Sequence, residues 1–247
     1  DYGVRYAYYS GLLTQTSGVG GVNTRFLGFG TEYDEKTLGA LQMIEQDSAV
    51  NPEIKEAFRG KKLARLSFAD DEVAEIAELL SGKTFVNDRA TKQNFLQYAP
   101  DFKAIHVATH SFIDTDTDTI SYIVFNQAGR NNDFLLSMPE VYNLSLDAEL
   151  IALSGCQTGL GALQRSEGVL SLARAFHVAG CKSMVASQWS ISDRASSVIM
   201  KEFYRHLDQG QNKTEALRQA KLAYLSRDEL SSPAYRIPPY WGALVFV

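Results

Sequence analysis

The sequence predicts an α/β protein: a mainly parallel sheet covered on both faces by helices. Short, nearly continuous apolar runs at residues 104–109, 150–153 and 184–186 give way to polar turns. After the last two turns, apolar residues recur at helical spacing. Strands buried on both faces read as unbroken apolar runs, and parallel neighbours need a crossover helix between them. With 247 residues, 45% of them apolar, the chain can bury one full core.

Taken in order, residues 4–13 read as a strand that Gly18, Gly20 and Gly21 break, and 25–29 read as a second short strand. Between 31 and 60 the pattern is indistinct, with a weak helical stretch at 38–44. An acidic first turn at Asp70 precedes Val73, Ile76, Ala77 and Leu80 at helical spacing, and Gly82 closes that helix. Residues 91–98 form a short helix stopped by Pro100, and the strand at 104–109 runs straight into His110. A loop rich in Asp and Thr follows, then a strand at 122–125, then Ser137 and Glu140 as a capping box around Pro139.

The strand at 150–153 runs into the polar turn that contains Cys156. Val169, Leu170, Ala173 and Phe176 mark the next helix, which Gly180 ends. After a strand at 184–186, a helix starts near Ser192 or Asp193 with Val198, Ile199, Phe203 and Leu207 on one face. Gly210 ends it, Asn212 and Glu215 cap another helix, and 241–247 is a final strand. There is no linker rich in Pro or Ser, no low-complexity tract and no 34-residue period, so residues 1–247 read as one domain. A chain opening on Asp1 instead of Met reads as the C-terminal part of a longer protein.

Composition narrows the function. A formal charge of -5 argues against gripping nucleic-acid phosphates, which takes clustered Lys and Arg. No apolar run approaches the roughly 18 to 20 residues that span a bilayer, and no secretory leader opens the sequence, so a cytoplasmic protein with no membrane contact is expected. Cys156 and Cys181 are too few for a disulfide framework, and a reducing compartment leaves both as thiols.

In a parallel sheet, reactive groups gather beyond the carboxyl ends of the strands, where the chain leaves the sheet. His110 and Cys156 both stand at such ends, 46 residues apart with His first. In caspases the catalytic His lies about 50 residues upstream of the Cys. A thiol of ordinary pKa needs a base to become a nucleophile at neutral pH, and an imidazole supplies one. The backbone N–H groups of Ser111 and Cys156 are natural oxyanion donors. Glu167 suits the first turn of the following helix by its charge alone.

Other candidates have plainer readings. Cys181, after Gly180 at a helix end, reads as a packed thiol, and His106 as a hydrogen-bonded core histidine. His177 and His206 lie within amphipathic helices. Asp114, Asp116 and Asp118 alternate as in a calcium loop but lack its Gly and terminal Glu, which leaves a solvated loop or an attraction for basic substrates. Asp193 either caps the helix it opens or lines a pocket for a basic side chain.

The stretches IHVATHS (105–111), LSGCQTGLG (153–161), SEGVLSLARAFHVAGCKSMVASQW (166–189) and YWGALVFV (240–247) resemble the CHAT peptidase domain of the caspase and separase clan. FLGFG (26–30) and DDEVAEIAELL (70–80) resemble its N-terminal half. The resemblance implies a caspase-like α/β/α sandwich, a Cys156–His110 dyad and cysteine endopeptidase activity on a protein or peptide substrate, with no metal or organic cofactor. Gln188, Trp189 and Ser190 resemble in position the segment that pairs with the substrate backbone in caspases; Trp189 reads equally as a core residue. The resemblance also implies a partnership with upstream tetratricopeptide repeats or a regulatory protein. Ser111 stands where the family usually has Gly, a departure that bears on the oxyanion hole and not on the fold. The rival reading is a catalytically silent scaffold with the same fold.

Overall fold

The computed structural model describes residues 25–33, 35–46, 63–113, 121–126, 134–155, 167–227 and 235–247, with Pro52 and Lys55. The strand expected at 4–13, the acidic residues 114, 116 and 118, and Cys156 lie outside the described residues.

The central sheet among the described residues has the order β2-β1-β3-β7-β8-β9. Its strands are β1 (Phe26–Gly30), β2 (Lys83–Val86), β3 (Ala104–Ala108), β7 (Leu150–Leu153), β8 (Met184–Ser187) and β9 (Leu244–Phe246). Every pairing is parallel except that of β9 with β8. β1, β3, β7 and β8 are buried at every residue, which is why they read as unbroken apolar runs.

Alternate residues of each strand serve opposite faces. Leu27, Phe29, Ile105, Val107, Ile151 and Leu153 share one core with α3 (Lys92–Tyr98), α4 (Met138–Tyr142) and α5 (Glu167–Val178), through Phe95, Val141, Leu172 and Phe176. Phe26, Ala104, Leu150, Ala152 and Val185 face a second core with α2 (Ala69–Leu80), α6 (Asp193–Asp208) and α7 (Lys213–Ser226). The expected α/β/α sandwich is the architecture found.

α2 lies directly against β1. A Cβ on Gly30 would sit 2.7 Å from the Ala69 carbonyl oxygen, so only glycine admits this approach. The start of α2 is thereby fixed beside the end of β1.

β3 continues through Thr109 and His110 into a second, antiparallel sheet of order β4-β5-β6. Its strands are β4 (Ser111–Ile113), β5 (Ser121–Val124) and β6 (Leu135–Ser137). β2, β4 and β6 were not legible in the sequence: β4 and β6 have three residues each, and β2 is an edge strand with Lys83 exposed. The loop expected directly after His110 therefore begins as a strand.

The weak helical stretch at 38–44 is α1 (Glu35–Gln42) with a 3-10 turn after it. The final strand is shorter than expected, because Pro238 and Pro239 open one helical turn, α8 (Pro238–Trp241). The Ser137–Glu140 capping box and the Asn212 cap on the Glu215 N–H, at 3.0 Å, are formed as read.

Candidate active site

β3 and β7 run side by side with Ala104 opposite Leu150 and Val107 opposite Leu153. The offset between partners is 46 residues, the same as between His110 and Cys156. The Ser154 N–H donates to the Val107 carbonyl at 3.1 Å, extending the ladder by one step. Beyond it the backbones of Thr109 and Gly155 touch: a Cβ on Gly155 would lie 2.4 Å from the Thr109 oxygen. His110 is the next residue on one strand end, and Cys156 the next in sequence on the other.

His110 is fully buried. Its Nε2 lies 2.7 Å from the Ala64 carbonyl oxygen, which can only accept, so Nε2 carries the proton and Nδ1 is the basic nitrogen of the neutral ring. The imidazole stacks on Tyr33, with centroids 4.8 Å apart and planes 28° from parallel. Burial pulls its pKa down to about 4, against the upward pull of the Ala64 carbonyl. At neutral pH it is an uncharged base.

Ser111 is buried and pairs with Ile123 across β4 and β5. The Val124 N–H donates to the His110 carbonyl at 2.8 Å, which makes His110 and Val124 the hydrogen-bonding positions. Ladder positions alternate in an antiparallel pair, so the Ser111 N–H points away from β5.

The four remaining sequence candidates lie at the end of β8 and the start of α6. Gln188 donates its N–H to the Ala243 carbonyl at 2.9 Å, so the chain there still follows the β9 side. Trp189 is partly exposed, its indole N–H donating to the Pro239 carbonyl at 3.1 Å, and Ser190 is exposed.

Asp193 does not cap its own helix. Ser192 holds the N-cap position of α6, while the Asp193 carboxylate accepts the Phe68 N–H at 3.0 Å, at the start of α2. Two helix starts meet there, and a single carboxylate serves the neighbour's. Burial raises the Asp193 pKa to about 6, with Glu72 and Glu32 adding to the rise and the Ser67 and Phe68 N–H groups opposing it. Asp70 is also raised to about 6, by burial and then by Glu32, against the Asn87 amide and the Arg65 charge. Arg65 forms an ion pair with Glu32. Among the described residues, the rim near Ala64 thus carries Glu32, Asp70 and Asp193 against Arg65.

Behind the rim lies a buried polar network that the sequence reading only half anticipated. His106 Nε2 is 2.7 Å from Glu72 Oε1 and 3.3 Å from Ser154 Oγ, and all three residues are buried. Ser196 of α6 donates to the Ser154 carbonyl at 2.8 Å. Both partners of His106 meet the same nitrogen, so no proton can pass through the ring from Ser154 to Glu72. It is a structural tie, as expected for a core histidine. Glu72 had read as part of the acidic first turn of α2; its place three residues after Ala69 and four before Ile76, on the buried stripe, is the signal that sets it apart from Asp71.

Breaking a buried pair strands the remaining group. Glu72→Ala is expected to lower stability by about 3 to 5 kcal/mol. A urea melt checks it, and an unchanged midpoint would mean that Glu72 is not buried on His106.

Cys181 is buried and donates to the Ser183 carbonyl at 3.1 Å; burial pushes its thiol up to about 12, which leaves it inert. His177 Nδ1 lies 2.6 Å from the Cys181 carbonyl and is structural. Among the described residues no helix is long and apolar enough to cross a membrane.

Comparisons with known proteins agree with this architecture. The chain is 24% identical to human tetratricopeptide repeat protein 28 over 230 residues, which is 80% of this chain and 9% of that protein. It is 23% identical to the mouse protein of the same name over 235 residues, again 80% of this chain and 9% of the relative. The chain thus spans about a tenth of the curated relatives it matches. Among solved structures it is similar to gingipain R, an Arg-specific cysteine proteinase, with a TM-score of 0.51 at 10% identity, covering 90% of this chain and 45% of that one. That likeness speaks for the fold alone. The CHAT domain profile matches residues 3–247, and with a match of that extent on a caspase-like α/β/α sheet, the chain belongs to the CHAT domain family.

Proposed function

We propose that this domain is a cysteine endopeptidase in which His110 activates Cys156. The observation that carries the reading is the contact of Thr109 with Gly155, each one residue short of the proposed base and nucleophile. The tautomer of His110 supports it, since Ala64 takes the Nε2 proton and leaves Nδ1 to act as the acceptor.

The thiol proton passes to Nδ1 as sulfur attacks the scissile carbonyl, and the S–C bond forms. The Ser111 and Cys156 N–H groups hold the oxyanion. The C–N bond then breaks, and the imidazolium returns its proton to the leaving amine. Water, deprotonated by the same ring, cleaves the thioester and restores the thiol. A neutral buried His110 favours proton transfer in step with attack over a standing thiolate–imidazolium pair.

The substrate is an extended peptide running along residues 188–190. Glu32, Asp70 and Asp193 near the rim favour a Lys or Arg side chain at P1. The tetratricopeptide-repeat relatives support upstream repeats as the regulatory partner.

Peptidyl chloromethyl ketones carrying Arg or Leu at P1 are the direct test, applied to the activated full-length protein. Labelling of Cys156, read by intact mass, is expected with Arg preferred, and it should vanish in Cys156→Ala and His110→Ala. No labelling by either probe would favour the silent scaffold.

A further inference from the structure

An antiparallel ladder would join His110 and Val124 by two direct hydrogen bonds, one in each direction. Only one of them is direct: the Val124 N–H donates to the His110 carbonyl at 2.8 Å. In place of the other stands the hydroxyl of Tyr33. It accepts the His110 N–H at 2.9 Å and donates to the Val124 carbonyl at 2.7 Å. A side chain from beyond the end of β1 is inserted into the ladder where β3 turns into β4. The ring of the same residue stacks on the imidazole.

We propose that Tyr33 is the positioning residue of the His110 base, its hydroxyl bridging the His110 N–H to the Val124 carbonyl and its ring fixing the imidazole plane. The proposal rests on the reading of His110 as the base. Three further observations support it.

Tyr33 has φ 56, a left-handed conformation uncommon for a bulky residue and tolerated where the surroundings over-determine it. It is fully buried among Leu41, Leu66, Val73 and Val124, so its place is set by four separate segments. Burial also drives its hydroxyl pKa far above the ordinary value, so the group stays protonated and can donate and accept at once. A backbone water could bridge the same two groups, but it would supply no stacking face.

Two substitutions separate the roles. Tyr33→Phe keeps the ring and its volume but lets the ladder close or leaves the His110 N–H and Val124 carbonyl unpaired. It is expected to lower kcat about 10- to 100-fold with KM within about twofold, because an error of about 1 Å in a reacting group costs that much while remote binding is untouched. Tyr33→Leu removes the face as well. Nitrogen-15 NMR of histidine-labelled protein reads the ring without any need for turnover: the native protein is expected to give a single Nε2–H tautomer for His110, and Tyr33→Leu an averaged signal.

Native kcat in Tyr33→Phe, or an unaltered His110 tautomer in Tyr33→Leu, would overturn the proposal. Should Cys156→Ala abolish turnover while Tyr33→Phe is fully active, only the role of Tyr33 is lost. Should Cys156→Ala retain turnover, the dyad is lost, and the NMR signature alone judges whether Tyr33 orients the ring.

Discussion

His110→Ala is expected to lower kcat about 10²- to 10⁴-fold with little change in KM, the range over which a positioned general base contributes. The imidazole is buried against Tyr33 and Ala64. The only other imidazole at this end of the sheet, His106, is committed to Glu72 on the far side of β3. Steady-state kinetics at several pH values checks this. Since burial lowers the His110 pKa to about 4, activity in the native protein should persist as pH falls below the ordinary imidazole value of 6.5 and disappear towards 4, where Nδ1 becomes protonated. An acid limb at the ordinary value, unmoved by His110→Ala, would assign the base to another residue.

Gly155→Ala is expected to be nearly as damaging, though it adds only a methyl group. The new Cβ would meet the Thr109 oxygen at 2.4 Å, its carbonyl carbon at 2.8 Å and its nitrogen at 3.0 Å. All three are backbone atoms of the strand end, and none can rotate away. Overpacking of this kind costs about 1 to 3 kcal/mol. The larger effect falls on chemistry, because relief requires the strand ends that lead to His110 and Cys156 to separate, and a shift near 1 Å is worth about 10²-fold in rate. Gly39→Ala, in open space on α1, is the control. Comparable turnover in the two variants would remove the Thr109–Gly155 contact from the argument.

Much of the fold was legible because burial on both faces leaves no freedom in composition. β7 matches its apolar run at 150–153 residue for residue, and α2 follows the acidic turn and apolar stripe that announced it. The elements that escaped are those whose residues are set by neighbours: β4 and β6, three residues each, exist because β5 lies between them. Asp193 shows the same limit at the level of one side chain. Its sequence position suggested a cap for the helix it begins, yet its carboxylate serves the N–H of Phe68, 125 residues away.

The sequence by itself determined the layered α/β class, the strand ends that carry His110 and lead to Cys156, and the family likeness, since apolar periodicity and local motifs are properties of contiguous residues. Only the tertiary structure decided that Tyr33 and Ala64 attend the imidazole, that Glu72 lies buried on His106, and that Gly155 must be bare of a side chain. Those contacts join residues 34 to 77 positions apart along the chain, from Glu72 and His106 to Tyr33 and His110. Hydrogen-bond partners and close backbone approach depend on how the strands register and the helices pack, and nothing in a local pattern encodes which distant carbonyl a ring nitrogen will find.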